Sequence, residues 1–272
     1  MIAHKEKGGM HTNLKTRLFG TVIFVSALVV VQLLSSTAYA ITNGQPDGDR
    51  HPYVGLLVFD DETGPVWRCT GSLIAPTVVL CAGHCTDGAV AARIWFDEIV
   101  EGNPDYPLGG PSAVEGIPHT HPDFDWFTND VGVIILSEPV YIDEYGKLPT
   151  LGLVDELAMK EDLDQVGYGV QCQVHGHGPP YWIGSKARLF APAQLIASNH
   201  IFSDDYMRTT ANPGQGKGGT CFGDSGGPVL LAGTDTILGI TSWGTNYNCA
   251  GISYAQRVDT ADVLEWINSF LD

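Results

Sequence analysis

The chain is short of positive charge. Its 272 residues hold 14 Lys and Arg against 31 Asp and Glu, a formal net charge of −17. The body is more acidic still, because residues 1–40 hold Lys5, Lys7, Lys15 and Arg17 against Glu6, a net +3 that leaves −20 on the remainder. Such a surface presents no basic face, which excludes nucleic acid as a partner, and it suits a soluble monomer that resists association. Histidine is absent beyond His200, although the chain has nine. No second Cys/His pair stands at a spacing matching Cys81, His84 and Cys85, so a structural zinc site is incomplete and no metal or other cofactor is expected. No sequence-level repeat is visible. With 44% hydrophobic residues, disorder is excluded for most of the length.

What the sequence does have begins with a leader. Residues 1–17 are basic, 18–34 are mostly apolar, and Ala38-Tyr39-Ala40 closes the segment in an A-x-A pattern. The pattern predicts a secretory signal peptide over 1–40, with no membrane association after cleavage. A retained anchor is the alternative, but the apolar stretch is near the short end for spanning and the small-residue pattern would have no purpose. Cleavage after Ala40 would make Ile41-Thr42-Asn43-Gly44 the new terminus of a secreted, extracellular or periplasmic protein. Six cysteines in an exported chain imply up to three disulfides.

From Pro52 to Leu136 short apolar runs (Tyr53 to Phe59, Ser72 to Leu80, Arg93 to Phe96, Val131 to Leu136) are split by Gly/Pro/Asp clusters. That is all-β composition. Glu98 to Pro122 reads as surface loops with solvated His119 and His121, and Ser137 to Leu163 as a connection. A second β series follows: Asp164 to Val170, Ala187 to Ile196, Pro228 to Leu231, Ile237 to Trp243 and Ser253 to Val258. His175-Gly176-His177 reads as a mobile loop. The chain closes with helical spacing of Val263, Leu264, Trp266, Ile267, Phe270 and Leu271 behind an Asp259/Thr260 cap. The expected organisation is one domain over 41–272, with β halves at 41–150 and 151–272 and a cleft where two packed barrels meet.

Three stretches carry chemistry. Gly223-Asp224-Ser225-Gly226-Gly227-Pro228 sets a serine between glycines, where an exposed hydroxyl and nearby amides can serve a nucleophile and a developing oxyanion. The same letters describe an ordinary turn or a strand-to-helix elbow, but the elbow enzymes need a histidine after the serine, and none follows Ser225. The order His, Asp, Ser stays open. His84 follows an apolar strand in Cys81-Ala82-Gly83-His84-Cys85, where a structural histidine is the plain alternative. Asp130 opens Asn129-Asp130-Val131-Gly132-Val133-Ile134-Ile135-Leu136, either as a turn residue or as a sheltered acid fixing a histidine tautomer.

Taken together with Ser242-Trp243-Gly244, these motifs resemble the trypsin-like (chymotrypsin-fold) serine endopeptidases in order and separation, from Ile41 to the C-terminus. The resemblance implies two six-stranded antiparallel β-barrels with a C-terminal α-helix, and polypeptides as substrates and proteinaceous protease inhibitors as partners. It makes His84 the general base, Asp130 its orienter and Ser225 the nucleophile, with the amides of Gly223 and Ser225 as oxyanion hole. It pairs the α-amino group of Ile41 with Asp224, although Thr42 and Asn43 depart from the family's usual terminus. It pairs Cys69 with Cys85 and Cys221 with Cys249, leaving Cys81 and Cys172. Its primary specificity pocket falls on Gly219, Thr220, Ser242, Trp243, Gly244 and Ser253, which carry no charge, so a non-basic preference is expected. An esterase on the same residues and a catalytically silent binding module of the same fold are the rival readings.

Overall fold

In a computed structural model the described residues are 41–271, apart from 175–177, 200–202 and 213–214, and Cys172 is described by its backbone alone. The expected signal peptide and the His175/His177 loop lie outside them. Among the described residues fifteen strands and three helices form, α1 at Gly83–Thr86, α2 at Leu153–Glu156 and α3 at Ala261–Asn268.

The first barrel closes in the order β2 (Val54–Asp61), β3 (Gly64–Ala75), β4 (Val78–Cys81), β7 (Gly132–Leu136), β6 (Ala113–Thr120), β5 (Ala91–Trp95). The second runs β8 (Asp162–Gly167), β11 (Leu189–Ala197), β12 (Tyr206–Ala211), β15 (Gly251–Arg257), β14 (Ile237–Gly244), β13 (Pro228–Leu231) and closes because β8 also pairs with β13. All of these pairings are antiparallel. The architecture is thus two closed six-stranded antiparallel barrels, as expected. Closure removes unpaired edges, so short strands suffice. β1 (Gln45–Pro46) adds to β11, and β9 (Cys172–Val174) with β10 (Tyr181–Ile183) makes a separate hairpin.

The apolar runs supply the interiors. Leu56, Leu57, Phe59, Leu73, Val79, Ile94, Trp95 and Ile134 are among the fully buried side chains of the first cluster, while Leu163, Leu195, Met207, Val229 and Leu238 fill the second. Val263 and Ile267 of α3 pack into the first cluster, so the C-terminal helix docks as expected.

Three expectations need correction. Ala113 to Thr120 is a strand and not a loop: its wall of the barrel faces outward at Glu115 and Ile117, which weakens the apolar alternation. His121 is buried against Trp266, with ring centroids 4.9 Å apart, and burial holds its pKa below the ordinary value. Thr260 occupies the N-cap position of α3 without a side-chain cap bond, and Asp259 accepts hydrogen bonds from Arg257 and from the Val154 amide. Burial of Arg257 draws that acid away from the helix, since a buried guanidinium needs a partner more than an exposed helix end needs a cap.

Candidate active site

β4 and β7 are antiparallel neighbours with Cys81 opposite Gly132. The residues just past the end of β4 and just before the start of β7 therefore emerge at one barrel edge. His84 stands in α1 immediately after β4, and Asp130 precedes β7 by two residues. The His84 main-chain N–H donates to Asp130 Oδ1 at 2.7 Å, and Nδ1 lies 2.8 Å from Oδ2. Asp130 is almost wholly buried. Ser242, from β14 of the other barrel, donates its hydroxyl to the same Oδ2, and the Asp130 N–H donates to Gln256 Oε1 at 3.0 Å. Burial pushes the Asp130 carboxyl up, but the His84 hydrogen bond and charge, with Ser242, outweigh it and hold the group below its ordinary value. With Nδ1 committed to a carboxylate, His84 keeps Nε2 as its free basic nitrogen. Trp126, largely exposed, stacks on the ring at 5.9 Å and 21°.

Ser225 lies across the barrel junction on a loop held from both sides. Thr70 of β3 donates its main-chain N–H to Ser225 O at 2.8 Å and its hydroxyl to Gly223 O at 2.9 Å, while accepting from the Tyr168 N–H at 3.1 Å. Gly226 has φ +82°, and a β-carbon there would stand 2.3 Å from both Cys81 Sγ and Thr70 O. Only glycine fits that turn. Among the described residues no hydrogen bond takes up the amides of Gly223 or Ser225, nor does one join Ser225 to His84. Apo catalytic hydrogen bonds are commonly long and close only around substrate.

His84 and Ser225 both line one cavity of about 480 Å³. Its wall includes Thr220, Ser242, Trp243, Gly244 and Ser253, and apart from His84 it holds no ionisable acid or base other than Tyr247. Gly219 is not part of the wall. It is buried behind, bridged to Thr42 by hydrogen bonds of 3.0 and 3.2 Å. Ile252, Phe222 and Tyr247 also line the cavity, and the sequence reading did not single them out.

Ile41 is fully buried, and Asp224 is fully buried with its carboxylate accepting from the amides of Gly169 (2.7 Å) and Cys221 (2.8 Å). Burial pushes Asp224 up to about 7, against the opposing pull of those amides and of Arg68.

Cys69–Cys85 and Cys221–Cys249 are disulfides. Cys81 is free and buried, its Sγ donating to Thr70 O at 3.2 Å. Among the described residues Cys69, His84 and Cys85 form the one cluster with metal-ligand spacing, but its two sulfurs are bonded to each other and offer no thiolate.

The comparisons with known proteins agree with this architecture. The Trypsin family model matches residues 41–267. Serine protease 1 of Drosophila melanogaster is 28% identical over 84% of each chain. Trypsin zeta of Drosophila erecta is 26% identical over 74% of this chain and 73% of its own. Among solved structures, HL collagenase superposes with a TM-score of 0.65 at 20% identity, covering 87% of this chain and 97% of its own, a likeness in fold. A mutant of human heparin binding protein gives 0.60 at 17%, over 85% and 96%. The two closed barrels and the match to the Trypsin family model over residues 41–267 define a serine hydrolase. The chain belongs to the Trypsin family and is a serine endopeptidase, acting on polypeptides.

Proposed function

We propose that the chain, exported by cleavage after Ala40, hydrolyses peptide bonds through a His84–Asp130–Ser225 triad, with a preference for uncharged residues on the acyl side of the scissile bond. The observation that carries this is the doubly bonded His84–Asp130 pair facing the same neutral cavity as Ser225.

Ser225 Oγ attacks the scissile carbonyl while His84 Nε2 takes its proton. Asp130 stays ionised and stabilises the imidazolium. The amides of Gly223 and Ser225 donate to the oxyanion. Collapse expels the amine, which takes the proton from His84, and leaves an acyl-enzyme on Ser225. Water, deprotonated by His84, then releases the acid and restores the serine. Pairing of the Ile41 ammonium with Asp224 would supply a cation to a buried carboxylate whose hydrogen bonds among the described residues come from the amides of Gly169 and Cys221, and would hold the Gly223–Ser225 turn in this shape. The docking of Thr42 on Gly219 supports that placement.

The test is a casein digest beside a p-nitrophenyl ester assay. Casein fragments with a pre-steady-state burst on the ester support an endopeptidase using an acyl-enzyme. Ester turnover without casein cleavage would restrict the site to esterase chemistry.

A further inference from the structure

We propose that Arg68 is a specificity residue on the departing side of the scissile bond, where it selects substrates carrying an acidic side chain. The inference rests on the triad reading above.

Arg68 sits on β3 next to Cys69, whose disulfide partner Cys85 adjoins His84. A methyl group in place of the Gly223 hydrogen would stand 3.3 Å from Arg68 Nε, 3.7 Å from Nη2 and 3.1 Å from the Gly169 α-carbon. The guanidinium therefore lies against Gly223, on the side where Gly169 lies. Neither Arg68 nor Gly169 lines the cavity, whereas Phe222 does. Gly223 thus divides the site. A substrate with its acyl-side residue in the cavity and its carbonyl oxygen at Gly223 and Ser225 must run past Gly223 towards Arg68 as it leaves.

Among the other arginines, Arg93 pairs with Asp60, Arg188 with Asp47 and Arg257 with Asp155 and Asp259, while Arg50 and Arg208 donate to main-chain carbonyls. Arg68 is half-buried, yet among the described residues its guanidinium makes no salt bridge or hydrogen bond. Its charge bears on Asp224, but that carboxylate is fully buried and already accepts from two amides. A partly desolvated guanidinium is a planar fork for a carboxylate, so glutamate or aspartate one or two residues beyond the cut is the group it would take. On a chain this acidic, one free cation at the cleft also offsets repulsion of acidic substrates.

The experiment measures kcat/KM on internally quenched peptides identical on the acyl side and bearing Glu, Gln or Lys at the first or second departing position. Glu should exceed Gln by roughly five-fold, the scale of a partly screened ion pair, with Lys below both, and the ratio should fall towards one in 1 M salt. Arg68→Gln should erase the Glu-over-Gln ratio and Arg68→Lys should keep part of it. The salt series on the unsubstituted enzyme gives the same answer if a variant folds poorly. A normal ester burst with equal cleavage of the three peptides, or a Glu preference that survives Arg68→Gln, would overturn the inference. Absence of the burst would instead strike the triad reading.

Discussion

His84 is bound to Asp130 at two points, main-chain N–H to Oδ1 and Nδ1 to Oδ2, so one carboxylate fixes both the backbone and the ring. The expected consequence is a loss of about 10⁴ in kcat for Asp130→Asn, whose amide nitrogen forces the wrong tautomer. Ser242→Ala removes a donor from Asp130, leaves the carboxylate more basic, and should move the acid limb of the kcat/KM profile to higher pH. A pH profile that does not move would contradict the role given to Ser242.

Thr70 of the first barrel donates two hydrogen bonds to the Ser225 loop and accepts one from the Tyr168 amide of the second barrel. Thr70→Val keeps the shape and deletes the hydroxyl, leaving Gly223 O and the Tyr168 amide without their partner at about 1–3 kcal/mol for each buried group. The variant should lose kcat more than KM, since the turn positions the transition state. Steady-state kinetics with a thermal melt checks it, and an unchanged kcat would show that the loop does not depend on this clamp.

These two sites mark where the sequence is legible. Ser225, His84 and Asp130 stand in short local motifs whose residue types are tied to chemistry, and the apolar runs of β2, β7, β13 and β14 are long enough to show as strands. Thr70, Ser242 as an Asp130 donor, Gln256 and Arg68 are placed by contacts across the barrel junction, and no local pattern signals them. Strand β12 (Tyr206–Ala211) gives no strand pattern in the sequence, because Arg and Thr share its buried and half-buried positions with apolar residues. Gly219, which the resemblance assigns to the specificity pocket, pairs with Thr42 and lies behind the cavity wall, a long-range contact that no local pattern signals.

The cavity bears no acid to receive a basic side chain, so peptides with Phe, Tyr, Leu or Met before the cut should be cleaved in preference to those with Arg or Lys. Ile252 narrows the space, and Ile252→Gly should shift preference towards the larger aromatics by an amount set by apolar burial, on the order of 1–3 kcal/mol per group. Profiling on a mixed peptide library checks both. Cleavage led by arginine would contradict the neutral cavity.

With Ala40 still attached, Asp224 is raised from 3.8 to about 7 by burial. A carboxyl whose folded value exceeds its unfolded value stabilises the fold when protonated: the contribution is complete below 3.8 and is lost as pH rises through 7. A free Ile41 ammonium would favour the ionised carboxylate and remove that loss until the amine, with a reference value near 8, deprotonates. The stability gap between a chain starting at Ile41 and one with Met before it should therefore widen from pH 4 to pH 7, towards roughly 4 kcal/mol at the full shift, and close again at high pH. Denaturant titrations of both forms, each carrying Ser225→Ala to prevent self-cleavage, measure it. Parallel curves at every pH would refute the Ile41–Asp224 pairing.

The proposed chemistry turns on Ser225 as nucleophile and His84 as its base. Intact-mass and peptide mapping after treatment with a fluorophosphonate tests it most directly. One adduct on the peptide containing Ser225, absent in Ser225→Ala and strongly slowed in His84→Ala, is the predicted result. Peptide hydrolysis that persists in the labelled protein, or more than a few per cent activity in Ser225→Ala, would contradict it.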